Sequence, residues 1–426
     1  MNIMNILWVS NIVLPEAQSL LTGRAVLRGT GGWLIGAANA LLKDNSIHLS
    51  IASPSADVSD LKFLKGERIS YYLFPLGNGN HRYNKEFEPF FKEINALVRP
   101  DVVHLHGTEF SHCLAYVRAC GSKHVVASIQ GMTSVYWAYK TLGIPKWELI
   151  RNLSFADIFL EQSLFHKVED LKRCGECERH LIKELNHVIG RTLWDRSNTW
   201  AINPNIKYHF CNETLRPEFY NGVWSYEKCE KHTIFCNQPT NSTKGFHQLL
   251  KALPLVIQQF PDTKVYLTGI KTLEPDSFKH RLIEPGYTKY LRKKIKELGL
   301  SEHLCFLGSL DAEQMKQQYL NANVFVSCST IENSPNSIGE AQILGTPCIS
   351  SYVGGISDLI EERKSGFLYR FEETDTLAYL ICRIFSKDID FEFISNNEIE
   401  CAKLRHNQDA NSKQLIRIYK EILNDE

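Results

Sequence analysis

The sequence has no net charge to spare. Its 48 Lys and Arg are matched by 48 Asp and Glu, a formal charge of zero. That excludes the basic footprint of a nucleic-acid-binding chain. The first 210 residues are slightly basic and the rest slightly acidic, which would fit a first domain facing an anionic membrane but arises as easily by chance. No apolar run approaches the ~20 residues of a membrane span. The N-terminus runs straight into a strand, Ile6 to Val9, with no basic leader or cleavage site, so a secretory address is not expected. Short-period repeats, low-complexity tracts and coiled-coil heptads are also missing. The 12 cysteines are scattered singly, as at Cys236, Cys305, Cys328 and Cys348, and read as small buried hydrophobes in a reduced, cytoplasmic protein. Cys174 and Cys177 form a C-x2-C pair with His180 nearby. No second half-site with zinc spacing follows, so the stretch reads as a polar helical excursion.

What is present is ample: 426 residues, 43% hydrophobic and 23% charged, enough for two or three globular domains. Apolar runs and amphipathic helices alternate along the chain. Strands are predicted at 5–13, 47–52, 69–74, 101–107 and 125–129, then at 233–236, 264–269, 303–308 and 324–329. Helices are predicted at 33–42, 86–98, 158–186, 288–299, 311–322 and 412–423, with a long one opening at Thr243. Such alternation implies doubly wound parallel sheets with ligands at the carboxyl ends of the strands. The polar stretch 214–231 lacks an apolar period and reads as a hinge. The domain assignment is therefore 1–213, hinge 214–231, 232–400, and a terminal segment 401–426.

The chain is organised around Glu332 to Ile360. The apolar run Val324–Ser329 reads as a buried strand, followed by Glu332, a polar turn Asn333-Ser334-Pro335-Asn336-Ser337 and Glu340, with seven residues between the two acids. A helix starting near Ser337, capped by Ser334 or Asn336, would aim unpaired N–H groups at an anion. Glu340, in its first turn, would accept hydrogen bonds from ligand hydroxyls. A ligand carrying both phosphates and hydroxyls, such as a sugar nucleotide, is what this arrangement suits.

The two glutamates, with Ala341, Gly345, Pro347 and the Gly354-Gly355 pair in order, resemble the donor-site signature of retaining GT-B glycosyltransferases of the family-4 type (glycosyl transferases group 1). The resemblance is strong from 232 to 360 and moderate before it. It implies two Rossmann-like domains facing a cleft, an N-terminal acceptor side and a C-terminal donor side, with the last helix returning to the first domain. It implies that Glu332 faces the donor sugar and acts in catalysis, and that Glu340 binds ribose. Asn333, Ser334, Pro335, Asn336, Ser337 and Ile338 would line the diphosphate, and Gly308 the base. Lys244, beside Gly245, would serve both donor binding and catalysis by neutralising phosphate. The family's arginine five residues before that lysine is Pro239 here, so Arg191 is considered as a further donor cation, with a surface ion pair as the alternative.

In the first domain Gly31 and Gly32, after Gly29-Thr30, match a glycine-rich loop near donor phosphates and acceptor. His104 and His106 share one strand face without a third metal ligand; His104 reads as structural, His106 as either structural or acceptor-facing. Glu109 reads as an acceptor contact or a solvated loop acid. Gln130 stands where many relatives carry His, which puts a proton-transfer role there in doubt, while its amide could still hydrogen-bond a sugar hydroxyl on the acceptor side. No metal ligand set and no cofactor are expected. The donor would be UDP- or GDP-linked. The acceptor would be a glycan or polyprenyl-diphosphate-linked glycan, since Cys211–Arg216 and Ser242–Phe246 resemble enzymes of bacterial capsule, O-antigen and exopolysaccharide assembly. Peripheral contact with the cytoplasmic face of the inner membrane, and no nucleic-acid partner, follow by the same analogy. The alternatives are a nucleotide-sugar epimerase or phosphorylase on this architecture, or an inactive sugar-binding subunit.

Overall fold

A computed structural model describes residues 3–24, 31–77, 83–269, 273 and 284–425. The chain divides into two compact units. The first comprises Met1–Val135, Asp170–Arg216 and His406–Glu426, the second Tyr136–Glu169 and Pro217–Arg405.

Among the described residues, the first unit is built on eight strands: β1 (Met4–Ser10), β2 (Ile47–Ser55), β3 (Lys62–Lys65), β4 (Ile69–Pro75), β5 (Val102–His106), β6 (Val125–Ser128), β7 (His187–Gly190) and β8 (Lys207–Phe210). Their order is β3-β4-β2-β1-β5-β6-β7-β8, and all pairs are parallel except β3 with β4. Central strands covered on both faces read as continuous apolar runs, as Ile6-Leu7-Trp8-Val9, all at 0% exposure, does here. The first strand stops at Ser10, three residues earlier than its apolar run suggests; Ile12 N–H instead bonds the Ser10 hydroxyl. The C-terminal helix, Gln408–Leu423, belongs to this unit. It buries Leu415, Ile418, Tyr419 and Ile422 in the core that holds Ile6 and Trp8.

The second unit is a six-stranded, wholly parallel sheet among the described residues: β9 (Thr233–Asn237), β10 (Lys264–Thr268), β11 (Leu304–Gly308), β12 (Val324–Ser327), β13 (Cys348–Ser351) and β14 (Phe367–Tyr369). Its order is β11-β10-β9-β12-β13-β14. With helices between most successive parallel strands, each unit is Rossmann-like.

Two assignments differ from the sequence reading. Of the stretch read as a hinge, residues 214–216 belong to the first unit and 217–231 to the second, where Trp224 anchors them: its backbone N–H donates to Leu344 O (2.7 Å) and its indole N–H to Ala322 O (2.7 Å). The stretch 136–169, expected within the first domain, also clusters with the second unit. The long helix predicted over 158–186 begins only at Leu164. Before it stand two short helices, Lys146–Arg151 and Phe155–Phe159, the second closed by a Ser154–Asp157 capping box.

Trp8, His104 and Tyr419 tie the terminal helix to the first sheet. The Tyr419 hydroxyl accepts from the Trp8 indole (3.0 Å) and lies 2.7 Å from His104 Nδ1. Tyr419→Phe should lower stability by about 1–3 kcal/mol, measured by denaturant unfolding, since it leaves buried partners unsatisfied.

Candidate functional site

Two loops meet beyond the carboxyl ends of β9 and β12, which are neighbours in the second sheet. From β9 the chain enters a 3-10 turn, Ser242–Lys244, then Gly245, and only then the helix Phe246–Gln259. From β12 it runs through Cys328 and Ser329 to Glu332. The loops are stitched by Thr330 N–H donating to Thr243 O (2.8 Å) and the Cys328 thiol donating to Lys244 O (3.3 Å). The Lys244 ammonium then reaches Glu332 Oε1 at 2.5 Å, and the Ser329 hydroxyl donates to the same oxygen (2.7 Å).

Backbone crowding holds both loops in place. Gly245 has φ +65°, and a Cβ there would lie 1.7 Å from Cys328 O. Gly354 has φ +53°, and its Cβ would lie 1.9 Å from Glu332 O, which accepts from Gly355 N–H (3.0 Å). Glycine is required at both. The Gly354-Gly355 pair is thus the floor beneath Glu332.

The helix after the polar turn spans Asn336–Leu344. Its N-cap is Pro335, with no side-chain cap, where the sequence suggested Ser334 or Asn336. Residues 334–337 are half-buried, an accessible rim at the positive end of the helix dipole. Ile338 is buried behind that rim and Asn333 is 1% exposed. Glu340 falls just beyond the first turn, since the helix starts a residue earlier than expected, and is 5% exposed. Gly308 ends β11 with φ +72°, its carbonyl accepting from Gly269 N–H (2.9 Å).

Lys140 was not singled out from the sequence. It enters from the 136–169 stretch: its carbonyl accepts from the Ser242 hydroxyl (2.8 Å) and its ammonium donates to Asn241 Oδ1 (3.1 Å). Burial, with the charges of Lys167 and Lys244 nearby, pulls its ammonium down to about 8. Among the described residues it has no carboxylate partner. Nothing in the spacing of a lysine so far upstream could have revealed it; the packing of 136–169 does.

The first-unit candidates form a separate, largely buried polar group. Arg191, 6% exposed, pairs with Glu213 at 2.5 Å and donates to Ile129 O (2.8 Å). Its charge is balanced within its own unit, which favours the ion-pair reading over a free donor cation, although the pair is buried rather than superficial. Gln130 donates to Glu213 Oε1 (2.7 Å), so Glu213, missed in the sequence, joins two expected residues. His104 spans Tyr419 and Ser128 (2.7 and 2.6 Å), as a structural residue should. His106 is 4% exposed, with neither ring nitrogen bonded. Burial, with His104 and Arg191 nearby, holds its imidazole neutral, well below the usual range. It lines a cavity of about 50 Å³ with Trp33, Arg191 and Glu213. Gly31 (φ +90°) is the N-cap of the helix Gly32–Leu41, pressed on Ile12; a Cβ at Gly32 would lie 2.6 Å from the Arg216 side chain. Gly29 and Thr30 lie outside the described residues. Glu109 is no solvated acid: Oε2 is buried without a partner, and desolvation with the charges of Glu178 and Glu213 pushes its carboxyl up to about 8.

Cys174 and Cys177 are buried thiols outside any disulfide, and the described residues contain no His, Cys, Asp and Glu group able to hold a metal ion. Among them, no helix is long and apolar enough to cross a membrane.

Residues 227–414, nearly the whole of the second unit's main segment, match the family model described as Glycosyl transferases group 1. An uncharacterized glycosyltransferase of Methanocaldococcus jannaschii is 22% identical over 66% of this chain and 76% of its own length. Stretches matched in other curated relatives span less than half of each. Among solved structures, sucrose-phosphate synthase from Thermosynechococcus elongatus superposes with a TM-score of 0.71 over 99% of both chains, at 16% identity. Anabaena Alr3699/HepE, solved in complex with UDP-glucose, gives 0.63 over 98% of this chain and 100% of its own, at 15% identity. At such identities the structural likeness concerns the fold, which is GT-B-like. The family match and the named relatives support a glycosyltransferase of the group 1 type.

Glu109 makes stability depend on pH. Because its folded-state value is raised, the contribution from keeping it protonated is complete below about 4.5 and is lost as pH rises through about 8. Glu109→Gln should therefore equal the parent near pH 4.5 and melt higher than it at pH 8.5–9, as read by thermal unfolding across pH.

Proposed function

We propose that this protein is a retaining glycosyltransferase. It moves a hexosyl or related sugar from a nucleotide sugar to a glycan or polyprenyl-diphosphate-linked glycan, at the cytoplasmic membrane face, in assembly of a cell-surface polysaccharide such as capsule or lipopolysaccharide O-antigen. The observation that carries the donor half is the Lys244–Glu332 pair beside the uncapped helix at Asn336. The acceptor half rests on the sequence resemblance. UDP is favoured as the nucleotide, since the structurally similar Anabaena protein is in complex with UDP-glucose.

In this scheme the donor diphosphate lies on the 334–338 amides, Glu340 takes the ribose hydroxyls and the Gly308 backbone meets the base. When the anomeric bond breaks, charge gathers on the departing diphosphate. Fixed cations and backbone dipoles stabilise that charge without reorganising. Lys244 is one cation; Lys140, on the Asn241–Ser242 turn, takes the place of the arginine missing at Pro239. With two lysines and a helix N-terminus, the reaction proceeds without a divalent ion. Glu332 orients the sugar and holds Lys244 in position.

Calorimetry with UDP tests the Lys140 assignment. Lys140→Ala should weaken UDP by about 10-fold or more, the range of a hydrogen bond to a charged group, about 1.5–3 kcal/mol. Because the free ammonium titrates at about 8, parent affinity should also fall between pH 7 and 9, and the variant's should not. Equal affinity in parent and variant at pH 7 would remove Lys140 from the site.

The glutamates should separate. Glu340→Ala should weaken UDP and UDP-sugar alike. Glu332→Gln should bind UDP at least as tightly as the parent, since the amide no longer competes for Lys244, while turnover falls because the reacting carbon is less well oriented. Product formation and calorimetry on both variants decide it. Loss of UDP binding by a folded Glu332→Gln would overturn this division of roles.

A further inference from the structure

The two short helices at Lys146–Arg151 and Phe155–Phe159 are amphipathic in the wrong sense for a soluble surface. Each turns its acid inward and most of its large apolar side chains out, Leu149 being the one buried with the acids. Glu148, 2% exposed, meets Lys294 at 3.3 Å and Lys293 at 3.8 Å and accepts from the Asn152 amide (3.0 Å). Asp157, also 2% exposed, accepts from Gly286 N–H (2.9 Å) and closes its own capping box. A Cβ at Gly286 would lie 2.2 Å from that carboxylate, so the approach depends on glycine. These inward contacts fix how the two helices are rotated.

The outward faces carry Trp147 (58% exposed), Ile150 (60%), Phe155 (54%), Ile158 (60%), Phe159 (67%) and Leu160 (52%). They fall at i and i+3 on the first helix (Trp147, Ile150) and at i, i+3 and i+4 on the second (Phe155, Ile158, Phe159), and the Phe155 and Phe159 rings stack with centroids 4.4 Å apart. Six such side chains within 14 residues form a patch that a soluble chain rarely leaves in water. The charges on this face are Lys146 and Arg151, both exposed and, among the described residues, without an ion-pair partner. Glu161, at the far end, is the sole exposed acid from 146 to 161.

We propose that this face docks on an anionic lipid surface, lying in the interface with its aromatic and aliphatic side chains among the acyl chains and its two cations at the headgroups. The charge sorting selects that occupant. Aromatic and aliphatic side chains beside outward Lys and Arg, with the acids withdrawn, are the pattern of an interfacial helix. A second copy meeting this face about a twofold axis would bring the same cations together with little acid to balance them. The proposal does not depend on the transfer reaction, although a lipid-linked acceptor would be met at the same surface.

Co-sedimentation of the full chain with vesicles tests it. Three proteins are compared: the parent, Phe155→Ser with Phe159→Ser, and Lys146→Glu with Arg151→Glu, each checked for an unchanged thermal midpoint. The parent should sediment with vesicles of equal parts phosphatidylglycerol and phosphatidylcholine, less so in high salt, and weakly with phosphatidylcholine alone. The apolar pair should lose about 10-fold or more. The charge pair should lose about 25-fold or more, since each cation at an anionic surface is worth about fivefold. The proposal is overturned if the parent ignores anionic vesicles, binds neutral ones equally well, or is matched by both folded variants. It is overturned as well if the parent is a dimer that the apolar substitutions dissociate while vesicle binding is absent, because the face would then meet a second copy.

Discussion

Contact between Lys244 and Glu332 is the constraint on which the second unit's candidate site depends. Neither residue is positioned by its own element alone. Lys244 is presented by a 3-10 turn that fits because Gly245 admits the Cys328 carbonyl, and Glu332 by a loop that fits because Gly354 admits the Glu332 carbonyl. Adjacent parallel strands, β9 and β12, bring the two loops together. An ion pair at a half-buried position needs such support, since desolvation offsets much of its attraction unless the partners are fixed. The Ser329 hydroxyl adds a further bond to the carboxylate, and Ser351 donates to Ser329 O (2.6 Å), so the next strand, β13, braces the loop as well.

The stretch 136–169 belongs energetically to the second unit although it interrupts the sequence of the first. Buried carboxylates account for this. Glu148 pairs with Lys293 and Lys294, and Asp157 Oδ2 accepts from the Gly286 amide, all within the second unit. The same arrangement brings Lys140 to the Asn241–Ser242 turn and leaves the apolar faces of the two helices outward. One set of inward hydrogen bonds thus decides both a cation's placement and a surface's character.

The first unit shows a different economy of charge. Arg191, Glu213 and Gln130 form a largely buried network, in which Arg191 Nε has no partner among the described residues, and the Glu213 carbonyl is bonded by His406 at 2.8 Å. His104 and His106, their rings tilted with centroids 3.9 Å apart, stay neutral because burial and the neighbouring guanidinium disfavour a second positive charge. The polar interior is therefore electrically balanced, with Glu109 the group kept protonated near neutrality.

The sequence by itself determined the two parallel-sheet domains, since strands covered on both faces must be apolar runs and the helices between them amphipathic. It also marked the glycines, acids and lysine of the 232–360 stretch, because local turns with positive φ leave glycine in the chain. Tertiary structure alone decided which charges meet. That Lys244 lies on Glu332, that Arg191 is neutralised by Glu213, that Lys140 joins the Asn241 turn and that 136–169 leaves its own sequence neighbours all depend on contacts between residues 22 to over 100 positions apart. Local propensity carries no information about such pairings. They follow from strand order, and from the requirement that a buried carboxylate find a donor wherever the fold supplies one.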